Sequence, residues 1–153
     1  MQFTMTPVAH VHGGSADPTD DDWGQSRAVI TLDPAKFGDT ALAGLDAFSH
    51  VEVLFVFDKV TDDQIVSGAR HPRGRTDWPK IGIFAQRGKN RPNRIGLTTC
   101  PIVAVNELAV EVEGLDAIDS TPVLDITPVL SDFLPRGEPG EPAWALETMR
   151  DDW

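Results

Sequence analysis

Residues 51–58 read Val-Glu-Val-Leu-Phe-Val-Phe-Asp, a β-branched and aromatic run with little polar relief. Such a run suits a strand covered on both faces, and it sets the scale for the rest of the chain. The other periodic segments are equally short. Residues 6–12 place Val8, His10 and His12 on one face and Val11 on the other, and residues 27–32 put Ala28, Ile30 and Leu32 together. Residues 81–85, 98–105, 108–113 and 123–127 complete the set, with Asn106-Glu107 as a hairpin turn. A short helix is expected at 39–45, after the Asp33-Pro34 turn. Short strands separated by turns, with little helix, predict a mostly β fold: a compact barrel with a few short helices and a C-terminal tail.

The 153 residues fit one domain, expected over residues 1–134. After Leu134 the composition changes, because Pro135, Gly137, Pro139, Gly140 and Pro142 deny regular structure. Residues 135–153 therefore read as a Pro/Gly-rich tail, with two helical turns expected at 143–150. An apolar content of 41% argues against disorder over the whole length. No apolar run approaches the roughly 18 residues that a membrane-spanning helix needs. Residues 1–10 show neither a basic leader nor an apolar stretch, so no secretory signal is expected. Cys100 is the one cysteine, which excludes an internal disulfide and a Cys-rich zinc site and fits a reducing cytoplasm. The expectation is a cytoplasmic protein with no membrane partner.

Several chemistries are missing from the sequence. There is no strand-linked G-x-G-x-x-G, no P-loop, no G-x-S-x-G elbow and no zinc-protease histidine spacing. His10 and His12 can face the same way on a strand, but no third ligand accompanies them, so no metal is assigned.

The net charge of −11 looks hostile to nucleic acids until it is resolved along the chain. Residues 70–94 hold eight Arg and Lys against the single acid Asp77, a window of +7, and the remainder carries −18. A molecule divided in this way attracts an anionic ligand to one face and repels it elsewhere.

Within that window, residues 82–96 read Gly-Ile-Phe-Ala-Gln-Arg-Gly-Lys-Asn-Arg-Pro-Asn-Arg-Ile-Gly, an apolar strand running into a stiff cationic loop. Pro92 fixes the backbone, and Asn93 and the glycines tolerate unusual dihedrals. Arginines on such a loop pair with carboxylate or phosphate in a bidentate fork.

This segment resembles the signature of the TrmO family, also called TsaA-like: Phe-Ala-x-Arg-Ser-x-x-Arg-Pro-Asn-Pro-Ile-Gly after an apolar strand. Two further blocks match in order. Residues 44–50, Gly-Leu-Asp-Ala-Phe-Ser-His, with Leu54-Phe55-Val56-Phe57, are similar to the upstream block. Residues 114–126, Gly-Leu-Asp-Ala-Ile-Asp-Ser-Thr-Pro-Val-Leu-Asp-Ile, are similar to the downstream block. The likeness covers about residues 42–129. It departs from the family pattern at Arg94, where proline is usual, at Gly88, where serine is usual, and at Ser120, where glycine is common.

The resemblance implies a TrmO-like β-barrel that binds S-adenosylmethionine outside the Rossmann architecture, as a homodimer with the cofactor near the subunit boundary. By motif, the cofactor residues are Arg87, Leu97, Asp116, Ala117, Ile118 and Asp119, joined by Asp58 and Lys59 at the end of the apolar strand. The amino-terminal cofactor loop aligns loosely with Asp22, Trp23 and Gly24. Arg87 suits the methionine carboxylate, and Asp116 or Asp119 suits ribose or the amino group. Without the resemblance, Arg87 and Asp119 read as a loop-fixing ion pair. The acceptor side falls to Arg73, Arg75, Lys89, Arg91, Asn93 and Arg94, and no catalytic base is assigned.

The activity expected first is N-methylation at N6 of a modified adenosine beside the tRNA anticodon. The alternatives are methylation of a small metabolite, an amine or heteroaromatic nitrogen, and a non-catalytic S-adenosylmethionine sensor.

Overall fold

Apolar and polar residues alternate in six segments, and this alternation closes the sheet on itself. The computed structural model describes residues 1–14 and 25–150. Its strands are β1 (Ala9–Gly13), β2 (Arg27–Leu32), β3 (His50–Val56), β4 (Ala69–Arg70), β5 (Ile81–Gly82), β6 (Ile95–Asn106), β7 (Ala109–Glu113) and β8 (Pro122–Pro128). Six of them form a closed barrel in the order β1-β2-β7-β6-β3-β8, while β4 and β5 pair separately. Neighbouring barrel strands are antiparallel, and closure leaves no open sheet edge.

Each barrel strand sends alternate residues inward. Ala9 and Val11 of β1, Ala28 and Ile30 of β2, Val51, Val53 and Phe55 of β3, and Val110 and Val112 of β7 meet in one core. Cys100 of β6 lies among them, and burial, reinforced by the Asp116 carboxylate, pushes its thiol up to about 12. Gly96 stands opposite Phe55 in the β3–β6 ladder, and a Cβ there would come within 2.4 Å of the Phe55 ring. The glycine is what lets this ring lie flat against the strand. Phe57 meets the same ring edge-on, with centroids 5.1 Å apart.

Between β3 and β6 the chain leaves the barrel over residues 57–94. This excursion holds the β4–β5 pair and short 3₁₀ turns at Asp62–Gln64, Pro72–Gly74 and Ile83–Ala85. A six-residue helix, α1 (Ala143–Thr148), packs near it, and the Trp78 indole donates to Glu147 Oε2 at 2.8 Å.

The strands expected at 27–32, 98–105, 108–113 and 123–127 are present, the second extended at both ends as β6. Other expectations need correction. The run at 51–58 is buried on one face only: Val51, Val53 and Phe55 are sealed, whereas Glu52, Leu54 and Val56 remain half-exposed. The strand expected at 81–85 stops after Gly82, where a 3₁₀ turn closed by the Gln86 amide on the Ile83 carbonyl begins, and side chains bond the carbonyls around it. Gln86 Nε2 donates to the Ile81 carbonyl at 2.7 Å, and Arg91 donates to those of Ile83 and Gln86. The helix expected at 39–45 is a series of turns ending in a 3₁₀ turn at Leu45–Ala47, entered through Gly44 at φ 88°. The β6–β7 hairpin turns at Glu107 and Leu108, with Glu107 left-handed at φ 52°.

Candidate functional site

A cleft of about 1700 Å³ runs between the excursion and the barrel wall. Small-molecule pockets commonly span about 300–1,000 Å³, so this one has room for two ligands side by side. Its walls come from segments far apart in sequence: the end of β3 with Asp58 and Lys59, the excursion from Arg70 to Asn93, the start of β6 with Leu97, the loop at 116–118, and α1 with Trp144.

Most of the residues expected at a cofactor site converge here. Arg87, Leu97, Asp116, Ala117, Ile118, Asp58 and Lys59 all line the cleft. Arg87 and Leu97 also touch, because the guanidinium donates to the Leu97 carbonyl. One bond occupies one of five donors, which leaves the rest of the fork for a ligand. Ala117 is buried, Asp116 and Ile118 are half-buried, and Asp58 pairs with Lys59 at 3.5 Å. Asp119 is elsewhere. It lies at the mouth of the barrel, where its Oδ1 accepts from the Gly13 amide at 2.9 Å. Arg87 and Asp119 thus hold separate partners rather than one another. Asp22, Trp23 and Gly24 lie outside the described residues.

The cationic window divides into two groups. In the first, guanidinium groups hold the excursion together. Arg70 donates to Asn90 Oδ1 at 2.9 Å and to Gln86 Oε1 at 3.4 Å, and Arg91 turns inward to the carbonyls of Ile83 and Gln86. Arg94 bonds the Asp62 carboxylate. Arg75 grips Asp77 through two donors and lies over the Trp78 ring, 4.1 Å from its centroid. The hydrogen bond between them, helped by their opposite charges, raises the Arg75 guanidinium above its ordinary range and lowers the Asp77 carboxyl. In the second group, Arg73, Arg87 and Lys89 line the cleft, where Arg70 and Arg91 of the first group join them. Of the six residues expected to meet the acceptor, Arg73, Lys89, Arg91 and Asn93 line the cleft and Arg75 and Arg94 do not.

Residues 16–133 match the model of the tRNA-methyltransferase O N-terminal domain. The chain belongs to that family. A tRNA (adenine(37)-N6)-methyltransferase of Rattus norvegicus is 40% identical over 111 residues, which are 71% of this chain and 25% of that protein. A putative S-adenosylmethionine-dependent methyltransferase RcsF of Pseudomonas aeruginosa is 35% identical over 103 residues, 67% of this chain and 44% of that one. The chain therefore spans a quarter to less than half the length of these relatives. A crystal structure of TrmO superposes with a TM-score of 0.72 at 25% identity, covering 92% of this chain and 64% of that one. The closed six-stranded barrel is thus a TrmO fold.

Two of the three departures from the TrmO signature have local causes, and nothing in the structure explains the third, Ser120. Arg94 adopts φ 53°, which a proline ring cannot reach, so the loop turns here by a different backbone. Gly88 leaves room for Arg70, whose Nη2 would lie 2.6 Å from a Cβ at that position. Ser120 takes φ 71°, the left-handed conformation that glycine adopts without cost.

Sequence reasoning passed over His71, Trp78 and Gln86, and it expected a helix at 143–150 without placing it on a cleft wall. Gln86 and Trp78 are 8% and 5% exposed, and their positions depend on bonds to residues up to 69 places away. His71 carried a local signal, a histidine before proline inside the cationic window, but it lacks the spacing of any motif. Among the described residues, no group of three or more His, Cys, Asp or Glu is arranged to hold a metal, and no helix is long and apolar enough to cross a membrane.

Proposed function

We propose that this barrel is an S-adenosylmethionine-dependent N-methyltransferase whose acceptor is N6 of a modified adenosine in tRNA. One observation carries the reading: residues from four separate stretches, Asp58, Arg87, Leu97 and Asp116–Ile118, line a single cleft large enough for cofactor and acceptor together.

The donor set fits the cofactor. Arg87 offers a charge-assisted fork to a carboxylate, Asp116 accepts from hydroxyl or ammonium groups, and Leu97, Ala117 and Ile118 supply apolar cover for a purine. When bound, the cofactor supplies an electrophilic methyl group on a sulfonium. The protein's part is to hold the acceptor nitrogen in line with that methyl and keep water out, which removes much of the entropic cost of a bimolecular step. Arg73 and Lys89, on the excursion side of the cleft, suit the phosphates of an RNA acceptor. The names of the relatives point to the same acceptor.

The test is a mass comparison of anticodon-loop nucleosides from cells with and without the gene, paired with filter binding of tRNA across salt. Loss of a 14-Da increment on a modified adenosine supports the reading. With two to four phosphate contacts, the log–log salt slope should be roughly −2 to −3. A flat salt response and an unchanged nucleoside profile would assign the cleft to a small-molecule acceptor instead.

A further inference from the structure

We propose that His71 is the proton acceptor of the transfer step, through Nε2; this rests on the methyltransferase reading above. His71 is the one histidine among the described residues that line the cleft. Its Nδ1 lies 2.9 Å from the Trp78 carbonyl oxygen. A carbonyl oxygen only accepts, so Nδ1 must carry the hydrogen, and in the neutral ring the lone pair is left on Nε2. That tautomer is what a general base needs.

The His71 backbone and the residue that bonds its ring are both held in place. Pro72 is buried and follows His71 directly, and the His71 carbonyl accepts from the Gly74 amide at 3.0 Å. Trp78, which supplies the carbonyl, is 5% exposed; its indole donates to Glu147 of α1 and its face is covered by Arg75. A base fixed in this way loses little freedom when an acceptor arrives.

The chemistry calls for such a group. The lone pair of an exocyclic or carbamoyl-bearing aromatic nitrogen is delocalised, so its hydrogen must leave as the new bond forms. The acceptor nitrogen attacks the methyl carbon and the carbon–sulfur bond breaks with its electron pair going to sulfur. The N–H proton passes to His71 Nε2 and then to solvent, so that a sulfonium and a secondary nitrogen become a thioether and a tertiary nitrogen.

Two measurements test this. Ring ¹⁵N spectra of the ligand-free protein should show the neutral His71 as the Nδ1–H tautomer, and a neutral Nε2–H tautomer would overturn the proposal whatever the activity. Steady-state kinetics of His71→Gln should then show kcat down by about 100-fold or more, with cofactor affinity and acceptor KM within about threefold of wild type. Added imidazole should restore part of the rate to His71→Ala, which a packing role would not allow. An active wild type with an equally active His71→Gln overturns the base and leaves the methyltransferase reading standing. A wild type that binds no S-adenosylmethionine overturns both.

Discussion

In the barrel, side chains such as Val51, Val53 and Phe55 are sealed inside while the backbone pairs with itself along six strands. In residues 57–94 the arrangement is reversed. There the backbone carbonyls of Ile81, Ile83 and Gln86 are met by side chains, Gln86 and Arg91, and side-chain pairs such as Arg70–Asn90 and Arg94–Asp62 tie the segment to itself. The comparison teaches that cationic residues in one window do two jobs. Some, such as Arg75 and Arg94, are structural bonds that happen to carry charge, others, such as Lys89, face the cleft, and Arg70 and Arg91 do both. Counting charges along the sequence cannot separate the two jobs, because both use the same residue type on the same loop.

The barrel side of the comparison breaks most severely at Phe55. Phe55→Ala empties a site that is 1% exposed and packed against Gly96, and should cost about 3–5 kcal/mol in urea unfolding. A loss under 1 kcal/mol would mean that this ring is not the keystone of the β3–β6 wall. On the excursion side, Arg91→Ala removes a donor from the carbonyls of Ile83 and Gln86, of which Ile83 keeps the Gln86 amide, and should cost about 1–3 kcal/mol, felt locally. Hydrogen exchange should quicken across 83–91 while the amides of β3, β7 and β8 keep their protection. Equal loss in both regions would dissolve the distinction.

The same distinction explains what the sequence revealed. Strands with a strict two-residue period, such as β2 with Ala28, Ile30 and Leu32 facing inward, were legible because one face of the barrel is buried. β5 was not. Ile81 to Ala85 is as apolar as a strand, yet after Gly82 it winds into a 3₁₀ turn, and the Gln86 and Arg91 side chains bond the carbonyls around it. At the site, Arg87, Leu97 and the 116–118 loop were legible as blocks of a family signature, and the fold brings them to one cleft. Asp119, next to Ile118, points instead to the Gly13 amide. A one-residue difference in a loop reverses the direction of a side chain, and no periodicity records it. His71 and the α1 wall depend on contacts between distant segments, which a single sequence does not display.

A finer test concerns backbone conformation. Ser120 is left-handed at φ 71°, and Ser120→Gly should stabilise the protein by about 0.5 kcal/mol, since relief of the left-handed penalty exceeds the extra freedom of the unfolded chain. A destabilised variant would show that the Ser120 hydroxyl bond to Asp119, at 3.3 Å, outweighs that strain.

The most direct measurement is calorimetric titration of S-adenosylmethionine into wild type and Arg87→Ala. The expectation is saturable binding by the wild type, weakened by about 1.5–3 kcal/mol when the Arg87 guanidinium is removed from the cleft. No heat from the wild type at millimolar cofactor, or an Arg87→Ala variant that binds as tightly as its parent, would contradict the assignment of this cleft.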